Sequence, residues 1–154
     1  VYTWLEEVKD PEIPVISLID LGVITKVEID NGQKVVVTMT PTFVGCPATD
    51  YMKKDIEAVL LKHGVETFEV NLSLKEGWTS NNITPAGLQA LKEFGLAPPP
   101  KIDLIVDLDL LSNTICPFCE STNTEMKSPF GPTLCRALHY CNDCKQAFEQ
   151  FKPV

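Results

Sequence analysis

The chain has only two histidines, His63 and His139, among its 154 residues, and no apolar run approaches membrane-spanning length. So few histidines leave no Ser/His/Asp set near Cys46 in the sequence, which argues against cysteine-protease-like catalysis there. Basic residues are also scarce: 13 Lys and Arg face 21 Asp and Glu, a net charge of −8. Four metal-bound thiolates would take it to about −10 with zinc present. A surface this acidic repels phosphate backbones, so neither a nucleic acid nor a membrane is an expected partner. No charged-then-apolar leader pattern opens the chain. Six cysteines in that setting read as metal or thiol chemistry in a reducing compartment, with the cytoplasm the expected location, rather than as a disulfide framework.

The composition supports a conventional core, with 44% hydrophobic residues. Tyr2 to Val8 suits a short amphipathic helix with Trp4, Leu5 and Val8 on one side, stopped by Asp10-Pro11 and Ile13-Pro14. Val23 to Ile29 alternates with period two, Asn31-Gly32 suits a two-residue hairpin turn, and Lys34 to Met39 returns as a valine-rich strand. Ala48 to His63 carries Met52, Ile56, Val59 and Leu60 at helical spacing, and Gly64 ends it. A strand from Phe68 to Leu74 follows, and the helical crossover makes it parallel to the second strand. Thr84-Pro85 starts a further helix, with Leu88, Leu91 and Phe94 as its packing stripe and Gly95 as its stop. The expected fold is α/β: a small α-β-β-α-β layer domain with an additional helix, followed by a C-terminal zinc ribbon. The expected boundaries are 1–97 for the layer domain, 98–114 for a linker opened by Pro98-Pro99-Pro100, and 115–154 for the ribbon. The run from Ile102 to Leu111 is compatible with either a strand or an extended linker.

Cys116-Pro117-Phe118-Cys119 and Cys141-Asn142-Asp143-Cys144 are two C-x-x-C pairs 21 residues apart. Each pair can form a tight knuckle, and two knuckles complete a tetrahedron of sulfurs about 2.3 Å from one ion. The expected cofactor is a structural Zn²⁺; an iron centre or redox dithiols are the alternatives. A segment this small cannot bury an adequate core alone, so the ion must supply much of its folding energy. Cys135, between the pairs, reads either as a partly buried thiol or as an auxiliary ligand. His139 could share a strand face with it. Cys46, before Pro47 at the expected start of the long helix, suits a metal or cluster ligand, a nucleophile, or a small hydrophobe filling its loop. Asp10 and Glu12 read either as turn formers or as carboxylates that join Cys46 at a metal site.

Asp10-Pro11-Glu12-Ile13-Pro14, Asp20-Leu21-Gly22-Val23, Thr40-Pro41-Thr42 and Gly45-Cys46-Pro47-Ala48-Thr49 together resemble the iron–sulfur cluster assembly family that includes SufT and PaaD. Trp78-Thr79, Ile83-Thr84-Pro85, Phe94 to Pro99, Phe130-Gly131, Cys135, Cys141, Cys144, Phe148 and Phe151-Lys152 are similar to the PaaD branch, accessory subunits of phenylacetyl-CoA epoxidase. The resemblance implies a non-catalytic accessory or maturation factor of aerobic phenylacetate degradation, assisting iron–sulfur cluster assembly or insertion. The implied partners are the epoxidase components, above all the iron–sulfur reductase, and the iron–sulfur assembly machinery. The family's reactive thiol maps onto Cys46, which would hold iron or a cluster transiently, within one chain or across a homodimer. Asp10, Glu12, Thr40 and Thr42 are its candidate supporting residues. The competing expectation is a structural subunit that docks on the oxygenase through the ribbon and a surface at Phe148 and Phe151.

Overall fold

The computed structural model describes residues 1–102, 112 and 114–154. Packing divides the chain into two compact units, Val1–Trp78 with Asn82–Gly87, and Thr79–Asn81 with Leu88–Val154. The part of the apolar-acidic run from 103 to 111 lies outside the described residues. No helix among the described residues is long and apolar enough to cross a membrane.

In the first unit the elements run α1 (Tyr2–Leu5), β1 (Ile24–Ile29), β2 (Val35–Met39), α2 (Thr49–Lys62) and β3 (Phe68–Leu72). The expected α-β-β-α-β order holds. The sheet order is β1-β2-β3, with β1 antiparallel and β3 parallel to β2. Helix α2 buries Met52, Ile56 and Leu60, the three- and four-residue spacing read from sequence. Full burial of each such side chain contributes about 1.5–3 kcal/mol. Strand β2 contributes Val35, Val37 and Met39, all buried. Helix α1 is shorter than expected, because backbone bonds beyond Leu5 close single turns rather than another helical turn. It is tied to α2 instead: Trp4 stacks on His63 with ring centroids 4.9 Å apart, and Glu7 meets Lys62 at 2.5 Å and His63 at 2.7 Å.

The hairpin differs from expectation in its turn. Asp30 and Lys34 still pair, Asp30 Oδ1 accepts from the Gly32 amide, and the positive φ falls on Gln33 at 63°. The loop is therefore three residues ending in a left-handed residue, not the two-residue Asn31-Gly32 turn. Farther along, Gly22 (φ 74°) touches Asn82; a Cβ there would lie 2.6 Å from Asn82 Cβ, so only glycine fits.

Helix α3 (Pro85–Glu93) begins as predicted, with Thr84 Oγ1 accepting from the Gly87 amide at 3.0 Å. Leu91 is buried, but Phe94 is 44% exposed and is not part of the packing stripe. In the second unit β4 (Leu96–Ala97), β5 (Thr124–Ser128), β6 (Arg136–Cys141) and β7 (Ala147–Phe151) form one sheet in the order β4-β7-β6-β5. Strands β5, β6 and β7 are antiparallel neighbours, and β4 pairs parallel with β7. Leu96 and Ala97, in the stretch the sequence pattern assigns to the first domain, thus form the edge strand of the ribbon sheet. Phe148 and Phe151 are 4% and 1% exposed. They are core residues, which corrects the expectation of a docking surface there. Alternation along β7 turns Phe148 and Gln150 to the buried face, and Phe151 is buried where the strand ends.

Candidate metal centre and the isolated thiol

The two knuckles have the same backbone design. The Glu120 amide donates to the Cys116 carbonyl at 2.9 Å, and the Lys145 amide donates to the Cys141 carbonyl at 3.0 Å. The Cys116 amide donates to the Ser121 carbonyl and the Cys141 amide to the Gln146 carbonyl, both at 2.9 Å. Both turns close through a left-handed residue, Glu120 and Lys145, each with φ of 60°. Neither is glycine, so the spacing of the cysteines does not mark these positions; a left-handed conformation costs about 1–2 kcal/mol for a residue with a Cβ.

These turns bring Cys116, Cys119, Cys141 and Cys144 together with all four sulfurs within 4.8 Å of one another. Cys116 and Cys144 Sγ are 3.7 Å apart, and Cys119 and Cys141 Sγ are 3.6 Å apart. Sulfurs bonded at about 2.3 Å to a tetrahedral ion lie about 3.8 Å apart. The quartet therefore fits one metal ion, and the separations are far too long for disulfides. Among the described residues this is the one group of three or more Cys, His, Asp or Glu side chains whose ligand atoms converge. Four protein ligands leave no open coordination position.

Electrostatics around the sulfurs favour a cation. The amides of Cys144 and Asp143 draw the Cys141 thiol down to about 7, against burial. Burial pushes Cys144 up to about 12, with the Gln146 amide opposing it. At Cys119 the Ser121 amide lowers the thiol, but burial and the neighbouring thiols outweigh it and the net shift is upward. Four clustered thiols cannot ionise together unaided; a bound divalent ion supplies the charge that lets all four act as thiolates.

Behind the cluster, Ala97, Cys116, Cys141 and Phe148 form a small buried core. His139 is fully buried beside it, stacked on Phe148 at 5.4 Å, and its Nε2–H donates to Gln150 Oε1 at 3.0 Å. Burial lowers its pKa. It is not among the converging ligands, and packing is its role. Cys135 is half-buried, with Sγ 3.1 Å from Thr133 Oγ1, and also stands outside the quartet.

In the first unit Cys46 is half-buried in the loop before α2. The helix starts at Thr49, not at Pro47, and the Cys46 carbonyl accepts from both the amide and the hydroxyl of Thr49, the latter at 2.8 Å. Asp10 Oδ1 accepts from the amides of Glu12 and Ile13 at 2.9 and 2.8 Å, which makes it a turn former. Asp10 and Glu12 do not converge with Cys46 into a three-ligand group. Thr40 is buried, its amide donating to the Val23 carbonyl at 2.8 Å, and Thr42 is half-buried. Asp20, the other loop carboxylate, is held by Ser17 Oγ at 2.8 Å and Thr84 Oγ1 at 2.7 Å.

Likeness to known proteins follows the same division. Residues 108–152 match a family described as the PaaD zinc beta ribbon domain, and residues 1–71 match one described as iron–sulfur cluster assembly protein. Over its full length the chain is 35% identical to 92% of an Escherichia coli protein named as one subunit of a "Putative 1,2-phenylacetyl-CoA epoxidase". It is also 35% identical, over 59% of its length, to 84% of a Porphyromonas gingivalis protein named "Fe-S protein maturation auxiliary factor". A crystal structure of a domain of unknown function from Bacillus anthracis superposes with a TM-score of 0.55 at 32% identity, covering 58% of this chain and 86% of that one.

Proposed function

The chain belongs to the PaaD-like branch of the iron–sulfur cluster assembly family, and from that membership we propose that it is a non-catalytic maturation factor for a phenylacetyl-CoA epoxidase system. In this reading it assists cluster assembly or insertion in the epoxidase's iron–sulfur reductase, working with the iron–sulfur assembly machinery in the cytoplasm. The observation that carries it is the contrast between two kinds of sulfur. Four are committed to one closed tetrahedron. Cys46 stands apart, half-buried at the loop that leads into α2.

Zn²⁺ is the ion proposed for Cys116, Cys119, Cys141 and Cys144. An all-sulfur tetrahedron with no vacant position suits a structural zinc, which would supply folding energy and no catalytic water. Iron, alone or in a cluster, is cargo rather than a resident cofactor. Cys46 would offer a thiolate to that cargo, and the half-exposed loop from Thr42 to Cys46 would let a client or donor protein reach it. With Asp10 Oδ1 engaged in its own turn and Thr40 buried, further ligands would come from Glu12 or Thr42, from the client, from a thiol of low molecular weight or from Cys46 of a second copy. Non-enzymatic action is supported by the absence of a base beside Cys46 in sequence and by the maturation name of the Porphyromonas gingivalis relative.

The test is anaerobic reconstitution of the full chain with ferrous iron and sulfide, read by absorbance and Mössbauer spectroscopy. Cys46→Ser should retain one zinc per chain and lose protein-bound iron. If the variant holds and transfers iron as well as the parent, the role given to Cys46 is wrong.

A second reading, a structural subunit that docks on the oxygenase, is favoured by one observation. Phe118, Phe130 and Leu134 of the ribbon are 50%, 68% and 61% exposed, in place of the buried Phe148 and Phe151. On that reading Cys46→Ser would still support epoxidase activity, whereas Phe118→Ser with Phe130→Ser would not.

A further inference from the structure

The metal-binding quartet is not symmetrical. Cys116 and Cys141 are fully buried, Cys144 is half-buried and Cys119 is exposed. The exposed ligand is also where the two knuckles are joined by side chains. The Ser121 amide donates to Cys119 Sγ. The Ser121 hydroxyl donates to an Asp143 carboxylate oxygen. The other oxygen of Asp143 accepts from Asn123 Nδ2 at 2.8 Å, and Asn123 takes its own position from the Ser121 hydroxyl, to which its amide donates at 3.0 Å. The Asp143 amide donates to Cys141 Sγ. A continuous path of hydrogen bonds therefore runs from the sulfur of Cys119, through Ser121 and Asp143, to the sulfur of Cys141. It links one ligand of each knuckle outside the metal itself.

Outer partners of this kind orient metal ligands, and their loss commonly costs 10–100-fold in metal affinity. Here the partners span the two halves of the site. Metal release requires one sulfur to leave first, and Cys119 is the most exposed residue of the four, ahead of the half-buried Cys144. The departure of Cys119 must also break or drag the Ser121 amide that Asp143 holds in place.

We propose that the ion leaves by a single route that opens at Cys119, and that the Ser121–Asp143 bond between the knuckles is the positioning latch that keeps this route closed. The proposal rests on the metal-site reading above. Both residues are positioning residues: neither supplies a ligand atom.

The experiment uses the full chain loaded with Zn²⁺ and follows transfer of the ion to the chromophoric chelator 4-(2-pyridylazo)resorcinol. Zinc analysis of the untreated parent comes first. If the parent takes up no zinc, the metal-site reading fails and the latch has nothing to act on. With one zinc bound, Asp143→Ala, which removes both acceptor oxygens, should release it about 10-fold faster. Ser121→Ala should do the same. Because the two share one bond, the double variant should be no more than about twice as fast as the faster single variant. Thermal melting of the loaded variants within a few degrees of the parent separates the latch from a general loss of folding. Limited treatment of the loaded parent with N-ethylmaleimide, mapped by mass spectrometry, should label Cys119 before Cys116, Cys141 or Cys144. Release rates equal to the parent's in both single variants, or multiplicative acceleration in the double variant, overturn the latch. First labelling at any other member of the quartet overturns the route.

Discussion

His139 shows how much one side chain in the ribbon can weigh on stability. It is fully buried, and only Nε2 has a partner; Nδ1 is buried without one among the described residues. Its pKa lies below the ordinary value of 6.5, because burial penalises the imidazolium more than the Gln150 contact favours it. In the unfolded chain the ring gains its proton as the pH falls through about 6.5, while in the native state it stays neutral to lower pH. Its stabilising contribution is therefore complete above about pH 6.5 and is lost as the pH drops below that value, with a slope of at most about 1.4 kcal/mol per pH unit. Melting curves at saturating zinc between pH 7.5 and 5.5 should show this loss. His139→Phe, which can keep the stack on Phe148, should flatten the profile, whereas thiolate protonation at the metal site would persist in both proteins. An unchanged profile would mean that His139 does not couple folding to pH.

Among the elements of the first unit, the start of α3 is held by several bonds that meet at one threonine. Thr84 Oγ1 both accepts from the Gly87 amide and donates to Asp20 Oδ1, and the Thr84 amide donates to the Asp20 carbonyl at 2.9 Å. Ser17 fastens the same carboxylate from the other side. Thr84→Ala removes a helix cap and leaves Asp20 one bond short, at a cost of about 1–3 kcal/mol. Thr84→Ser should recover most of it. Denaturant unfolding of the three proteins checks both expectations. Thr84 and Pro85 were readable as a cap and a first turn from sequence, since capping involves residues three apart. The bond to Asp20 was not, because 64 residues separate the partners. The same limit explains the hairpin: Asn31-Gly32 marks a turn correctly, but which residue takes the left-handed conformation depends on the register of β1 against β2.

At the scale of the whole molecule, the two units differ in what holds them together. The first has an ordinary apolar core that includes Leu5, Ile56, Leu60 and Val37. In the second, among the described residues, Ala97, Cys116, Cys141 and Phe148 form a small buried cluster around the sulfurs, with Cys144 packed against it. Chelation of the metal should therefore abolish the β5–β6–β7 sheet while leaving the first unit folded. Amide hydrogen exchange of the full chain with and without a chelator should show protection lost across Arg136–Cys141 and Ala147–Phe151 and retained across Val35–Met39 and Thr49–Lys62. Loss of protection in both units together, or in neither, would contradict this.

The α-β-β-α-β order of the first unit, the helical face of α2, the parallel return of β3 and the convergence of two C-x-x-C knuckles were all determined by the sequence itself. Each depends on residues a few positions apart, or on a spacing that only one metal geometry satisfies. The tertiary structure alone decided that Phe148 and Phe151 face inward, that Phe94, Phe118 and Phe130 stay exposed, and that Leu96-Ala97 pair with β7. It also decided that Asp10 Oδ1 accepts from the amides of its own turn and that Ser121 meets Asp143 across the knuckles. These outcomes depend on which surfaces meet after the chain has folded back on itself, and residue types record apolar character and turn chemistry but not the identity of a distant partner.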